Sequence, residues 1–212
     1  QVLVKVFYYG MCKSQIMEIS GGRNNQKWIP HLLGHEACGK VIKIGKGVKK
    51  IKLNDEVILT WIKSSGCDVA GPTYFYKRKK INAGKITTFS NYTVVSENRL
   101  VKKPNKLSLK ESIFFGCAFP TGAGMVFNDL KIDKRDQVVL IGLGAIGLGT
   151  LLALKKKKIK NIIVIDNNKK KLKLAKKLGV KFFFRDLNNV TKKKILKIFK
   201  YGADFCFESA VQ

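Results

Sequence analysis

A histidine followed at once by a glutamate, His35-Glu36, stands at the mouth of an apolar run, Val41-Ile42 and Ile44, that reads as a buried strand entered and left by glycine turns. An imidazole is a metal ligand and the carboxylate beside it an acidic neighbour able to tune it. Taken alone, such a pair is more often a surface histidine at a strand end. Its setting is more specific: Gly34 to Val48 spells GHE-x2-G-x5-G-x2-V. A second chemistry-bearing pattern begins at Gly142. There Gly142-Leu143-Gly144-Ala145-Ile146-Gly147 follows the apolar strand Val138-Val139-Leu140-Ile141 and opens a helix, Leu148 to Lys157. Glycines in that context allow a tight turn and close approach of a pyrophosphate, whose charge meets amides at the helix N-terminus. Asp166 ends the next strand, Ile162 to Ile165, 19 positions beyond Gly147. Its carboxylate can accept from both hydroxyls of a ribose and repels a 2′-phosphate, so the pattern selects NAD over NADP.

Two further segments complete the set. Met11-Cys12-Lys13-Ser14-Gln15 reads as a loop with a thiol, a cation and a hydroxyl within three residues, and Gly116 to Gly124 carries Cys117 and Thr121. Together with the histidine pattern and the glycine fingerprint, in this order, these blocks resemble the zinc-dependent medium-chain alcohol dehydrogenase family. The resemblance runs from the first strand to the last. It implies one catalytic zinc held by Cys12, His35 and Cys117, with the Cys2His set that is this handful of enzymes' common coordination. It implies a proton relay starting at Ser14, Glu36 beside the metal, Lys13 near the cofactor pyrophosphate and Thr121 beside the nicotinamide. Trp61 falls where the family lines its substrate pocket, although a tryptophan capping a small β-core is the equal alternative. Lys171 falls where the family has a lysine near the adenosine ribose.

The chain departs from the family at several places. Gln15 stands where an aspartate supports the ligating histidine, so either an amide carbonyl replaces the carboxylate or the site is tuned differently. Met17 replaces the histidine that ends the relay in liver-type enzymes, which sends the proton out by water or the cofactor ribose. Four closely spaced cysteines of a structural-zinc lobe are missing; Cys67 stands alone in the polar stretch from Ser64 to Gly84, and one thiol cannot close a tetrahedral site. That loss borders the substrate entrance, weighs against a formaldehyde–glutathione substrate, and points to a bacterial branch. Cys38 and Cys67 are expected to stay outside the metal site, and Cys206 to lie in the core.

The elements that must position these residues are of two kinds. From Val2 to Val95 the sequence is strand and turn: Val2 to Tyr9, the run after His35, Ile58 to Trp61, and Thr87 to Val95, with Leu100-Val101 beyond. Ser108-Leu109-Lys110-Glu111 is a capping box opening a short helix. Beyond Cys117 the text alternates strand and helix, with a helix from about Asn168 to Leu178, strand Lys181 to Phe184, helix Thr191 to Lys200 and strand Asp204 to Glu208. The expected fold is therefore a GroES-like β-barrel catalytic domain, residues 1–116, followed by an incomplete Rossmann domain, residues 117–212, holding the first half of a doubly wound sheet. The opening on Gln1 and the missing second half suggest a fragment truncated at both ends, poorly active alone and exposing a sheet edge.

Bulk composition sets limits. Hydrophobic residues make up 45% of the 212, enough for a real core, and no apolar run approaches the ~20 residues of a membrane span. Five cysteines at wide spacings make no disulfide framework and fit a reducing cytoplasm. The net charge of +28 would attract polyanions, but the excess is nearly all lysine, many of these clustered at or near predicted helices, whereas base and phosphate readout favours arginine. A specific nucleic-acid role is not expected. The expected activity is hydride transfer between a small alcohol or aldehyde and NAD by a homo-oligomeric enzyme. The alternatives are a polyol or threonine dehydrogenase of the same family, or a non-catalytic nucleotide- or nucleic-acid-binding relative.

Overall fold

The computed structural model describes residues 1–22 and 29–210, which form two compact units, Gln1–Cys117 and Ala118–Gln212. In the first unit, β1 (Val2–Tyr9) pairs antiparallel with β2 (Glu36–Ile44), and β2 with β3 (Glu56–Thr60). A hairpin, β4 (Tyr74–Tyr76) and β5 (Lys79–Ile81), stands apart as its own two-stranded sheet. With β6 (Tyr92–Val95) and β7 (Leu100–Lys102), the main sheet runs β6-β1-β2-β3-β7. Alternate residues of these strands, among them Val2, Val4, Val41, Val57, Leu59, Val95 and Leu100, build one buried cluster, as period-two patterning dictates. Register shifts at Leu3/Val4 and at Val6/Tyr8 interrupt the β1–β2 ladder, the kind of irregularity that bends a strand. The strand expected after His35 is thus observed, from Glu36 to Ile44.

Two expectations for this unit need correcting. The supposed loop around Cys12 is a helix, α1 (Lys13–Ile19), with Cys12 at its N-cap. Seven residues give no readable period, and its apolar Ile16 and Ile19 are exposed while Gln15 is the buried member, so hydrophobicity pointed away from helix. The strand expected from Thr87 begins only at Tyr92. Upstream, the amides of Thr88 and Phe89 donate to the Leu33 carbonyl, and the Thr87 hydroxyl donates to it as well (2.9 Å), so this β-branched segment braces the loop before His35. The capping box forms as read: Ser108 and Glu111 cap each other reciprocally at α2 (Leu109–Ser112).

The second unit opens with α3 (Ala118–Gly124), continued by a π-type turn, Met125–Asp129. Its glycines bring two helices together. A Cβ at Gly122 would sit 2.1 Å from the Ile146 carbonyl, and one at Gly149 would sit 2.5 Å from that of Phe119. Then follow β8 (Val138–Ile141), α4 (Ala145–Lys156), β9 (Ile162–Ile165), α5 (Lys169–Lys177), β10 (Phe182–Phe184), α6 (Asn189–Ile198) and β11 (Phe205–Glu208). The four strands are parallel in the order β10-β9-β8-β11, a Rossmann-like sheet. Val138, Leu140, Ile162 and Val164 pack on one face with Leu151, Leu154 and Leu172; Val139, Ile163 and Ile165 pack on the other with Ile195 and Phe199. Cys206 is exposed, not core: it sits on the edge strand β11, in register with Val139.

Candidate metal centre and nucleotide loop

Three elements of the first unit deliver the thiols and the imidazole. Cys12 caps α1, His35 immediately precedes β2, and Cys117 ends the turn after α2. Their ligand atoms all lie within 4.8 Å of one another, and His35 Nε2 is 3.2 Å from Cys117 Sγ. A closed zinc tetrahedron, with bonds of ~2.0–2.3 Å, needs roughly 4 Å or less between donors. The set is therefore slightly wide for zinc and needs only small side-chain movements to close. Two sulfurs and one nitrogen suit zinc, and three protein ligands leave the fourth position open, as in catalytic rather than structural sites. Among the described residues no other group of three such side chains converges.

The two thiols form a hydrogen-bonded pair. Hydrogen bonding from Cys117 and then from His35 and Ser14 draws the Cys12 thiol down to about 3. Cys117 is pushed far up, because it keeps the proton it donates to Cys12 and is itself buried. One thiolate and one thiol thus share a proton, and the indole of Trp61 interacts with the Cys117 sulfur. Trp61 is 48% exposed, which removes the core-capping alternative. Its carbonyl accepts from the Arg99 guanidinium, which anchors this turn.

Glu36 is buried at the start of β2, its side chain lying against the backbone at Gly10 and Gly116, between the two cysteine segments. Lys13 is exposed at the start of α1. Gln15 does not reach the His35 ring. Its Oε1 accepts from the amide of Gly34, and its Nε2 donates to Glu18 Oε2 (3.4 Å), whose other oxygen meets His31. The neighbour of the ligand is held instead of the ligand. Gly34 has φ +91°, and a Cβ there would lie 2.4 Å from Thr88 Oγ1, so the turn into His35 has no room for another residue. Of the two thiols expected to stand aside, Cys38 donates to the Leu109 carbonyl (2.8 Å) and Cys67 to that of Gly47 (3.1 Å). Burial pushes the Cys38 thiol up to about 11.

Sequence reasoning missed Glu97 altogether. This carboxylate is only 2% exposed and accepts from the amides of Lys49 (2.8 Å), Lys50 and Cys67 (2.9 Å). Burial opposes its charge, but these donors outweigh it and hold the carboxyl below its ordinary value. It ties the chain at Cys67 to the turn after β2. No local pattern marks it, since its partners lie 30 to 48 positions away.

In the second unit Gly142 turns with φ +85°, and a Cβ at Gly147 would sit 2.0 Å from the Gly142 carbonyl, so the loop closes on itself. Gly144 caps α4, whose first amides face the loop. Asp166 is buried. Its Oδ2 accepts from Leu143 N (2.7 Å) and lies 3.4 Å from Lys171 Nζ, while Oδ1 accepts from Asn168 N (2.8 Å). Burial is again the largest influence and is overcome, in turn, by Leu143, Asn168 and Lys171, leaving the carboxyl below its ordinary value. Asp166 therefore fixes the fingerprint loop to the end of β9. Thr121 lies half-buried within α3.

Comparison with known proteins agrees with this construction. The alcohol dehydrogenase GroES-like domain matches residues 1–105, and the zinc-binding dehydrogenase family matches residues 145–212. The chain belongs to the medium-chain zinc alcohol dehydrogenase family. An S-(hydroxymethyl)glutathione dehydrogenase of Escherichia coli O6:H1 is 32% identical over 98% of this chain and 63% of its own length. Benzyl alcohol dehydrogenase from Acinetobacter calcoaceticus superposes with a TM-score of 0.82 at 27% identity, covering all of this chain and 63% of that one. An alcohol dehydrogenase zinc-binding domain protein from Burkholderia ambifaria gives 0.80 at 25% identity, over 99% and 63%. The chain thus spans 63% of the length of the curated relatives it matches. No described helix is long and apolar enough to cross a membrane.

Proposed function

We propose that the protein is a zinc-dependent oxidoreductase that transfers a hydride between a small alcohol and NAD, its first unit catalytic and its second binding the dinucleotide. The observation that carries this reading is the convergence of Cys12, His35 and Cys117 within 4.8 Å from three separate elements. These three residues would hold zinc. When bound, zinc supplies Lewis-acid polarisation of an alcohol oxygen. Ser14, whose hydroxyl and amide already interact with Cys12, is placed to take the alcohol proton at Oγ and pass its own towards solvent. Glu36 supplies a buried carboxylate beside the ligand set and stabilises positive charge there. Trp61 offers an exposed aromatic wall next to Cys117 for the substituent of the alcohol.

In the second unit, Gly142, Gly144 and Gly147 open the start of α4 to a pyrophosphate, and Asp166 rejects a 2′-phosphate. The lone pairs of Asp166 not used by Leu143 and Asn168 remain for ribose hydroxyls. Lys13 and Lys171 would neutralise cofactor phosphate and support the ribose; Thr121 would border the nicotinamide. The substrate class follows the aromatic wall and the relatives: a small or aromatic primary alcohol, and, from the 32% identical relatives, S-(hydroxymethyl)glutathione as the competing candidate. The enzyme is read as cytoplasmic and homo-oligomeric. The test is zinc content of the full-length protein together with NADH formation from a panel of primary alcohols and S-(hydroxymethyl)glutathione. One zinc per chain with alcohol-dependent NADH supports the reading; a protein that neither takes up zinc nor reduces NAD overturns it.

A further inference from the structure

A groove of about 320 Å³ opens between α5 and β10, lined by Lys169, Leu172, Lys173, Lys176, Phe183 and Arg185. None of the residues assigned to the nucleotide (Gly142, Gly144, Gly147, Asp166, Lys171) lines it. Its floor is apolar and its rim carries four cations. Lys169, Lys173 and Lys176 recur at helical spacing on α5, a helix without a single acidic residue. The nearest carboxylate in sequence, Asp186, is engaged by Asn188 Nδ2 (3.1 Å) and Thr191 Oγ1 (3.5 Å). Beside the groove runs β10, the edge of the parallel sheet, which pairs with β9 alone among the described strands. Phe183 pairs with Val164 and so points to the α5 face, yet it is 37% exposed; Phe182 is 43% exposed.

We infer that this edge and groove together form a docking surface for an acidic, extended peptide segment of a partner protein. An unpaired strand edge supplies main-chain donors and acceptors to an incoming strand. Every second side chain of that strand then faces the groove, where an aliphatic group covers Leu172 and Phe183. Carboxylates at the other groove-facing positions of the strand meet Lys169, Lys173, Lys176 and Arg185. Charge decides against a second copy of this chain, whose net charge of +28 would face like charge here. Main-chain pairing and an apolar floor favour a peptide over a nucleic acid, which would use phosphate contacts and base stacking and would have no need of a strand edge.

The experiment uses the full-length protein and a fluorescent peptide in which threonine alternates with a second residue that is valine and glutamate in turn, so that one face carries both. Binding is measured by anisotropy beside three controls: the same peptide with alternate amides N-methylated, a polyglutamate of equal charge, and a single-stranded oligonucleotide. The alternating peptide is expected to bind at least roughly tenfold more tightly than each control, and the protein carrying both Lys173→Glu and Lys176→Glu to lose at least as much. Saturating NAD should leave its affinity unchanged, and hydrogen exchange should slow at Phe182 to Phe184. The N-methylated control acts on the unmodified protein, so it decides the matter even where the double variant folds poorly. No binding, binding unaffected by N-methylation, or equal binding of polyglutamate or the oligonucleotide overturns the proposal.

Discussion

The imidazole Nε2 of His35 lies 3.2 Å from the sulfur of Cys117, 82 positions further along the chain. Nothing local joins them: one residue precedes a strand, the other closes a turn after a short capped helix, and Cys12 arrives from a third element. The two sulfurs share a proton that a divalent cation would displace. Zinc is therefore expected to bind one per chain and to raise the unfolding temperature, by about 2.7 kcal/mol of stabilisation at a hundredfold excess over its dissociation constant. His35→Ala and Cys117→Ala should each abolish that zinc-dependent shift. Calorimetry with and without zinc reads it, and an unchanged shift in both variants would remove these residues from the site.

Gln15 supports the site through the backbone, so its replacements should rank in zinc affinity by acceptor and not by charge. Gln15→Ala orphans the Gly34 amide and is expected to cost about 1–3 kcal/mol of stability. A loss of roughly 10–100-fold in zinc affinity should accompany it. Gln15→Glu keeps an acceptor for Gly34 but exchanges the donor to Glu18 for a second buried carboxylate, so it should stay close to the parent in zinc affinity while losing stability. A chelator competition measures affinity separately from turnover; equal zinc affinity of the alanine and glutamate variants would contradict the backbone role.

How far the sequence could be read depended on where each residue finds its partner. The strand-glycine-helix unit around Gly142 was legible because its logic is local: strand, turn, helix and Asp166 follow within one βαβ unit. The ligand set was legible only through motif resemblance, since spacing alone does not bring Cys12, His35 and Cys117 together. What was misread depended on tertiary contacts. Thr87 turns from a strand to brace Leu33. Helix α1 escaped notice because its buried residue is polar and its isoleucines are exposed.

Glu97 is the strongest structural prediction of this kind. Removing its carboxylate by Glu97→Ala leaves the buried amides of Lys49, Lys50 and Cys67 without acceptors, an expected loss on the order of 3–5 kcal/mol. The sign of its pH effect is fixed by its lowered pKa. The stabilisation is complete above the ordinary value of 4.5 and disappears as pH falls through the lower folded value. Glu97→Gln should therefore lose stability near neutral pH and show a shallower decline below about pH 4.5 than the parent, since one acid titration is gone. Urea unfolding across pH 3 to 7 would show it, and parallel pH profiles for parent and variant would contradict the assignment.

Asp166 joins the two halves of the nucleotide loop and is expected to set cofactor choice. Its Oδ2 holds Leu143 inside the glycine fingerprint, while Lys171 lies 3.4 Å away, so the carboxylate is ionised and fixed before any nucleotide arrives. A 2′-phosphate meeting that charge is disfavoured, and the full-length enzyme should prefer NAD over NADP by at least roughly tenfold in kcat/KM, on the order of 1.4 kcal/mol. Asp166→Ser removes the repulsion and one acceptor, so the preference should erode mainly through weaker use of NAD and better use of NADP. The same substitution also frees the Leu143 amide, so a few-degree fall in Tm should accompany the switch. Asp166→Asn separates the two effects in large part: its single carbonyl oxygen can keep Leu143, while the charge and the acceptor for Asn168 are lost. It should therefore relax cofactor preference while leaving most of the stability in place. Steady-state kinetics with both cofactors, set beside thermal unfolding of the three proteins, reads the two effects independently. Equal use of NAD and NADP by the unmodified enzyme would refute the role given to this carboxylate.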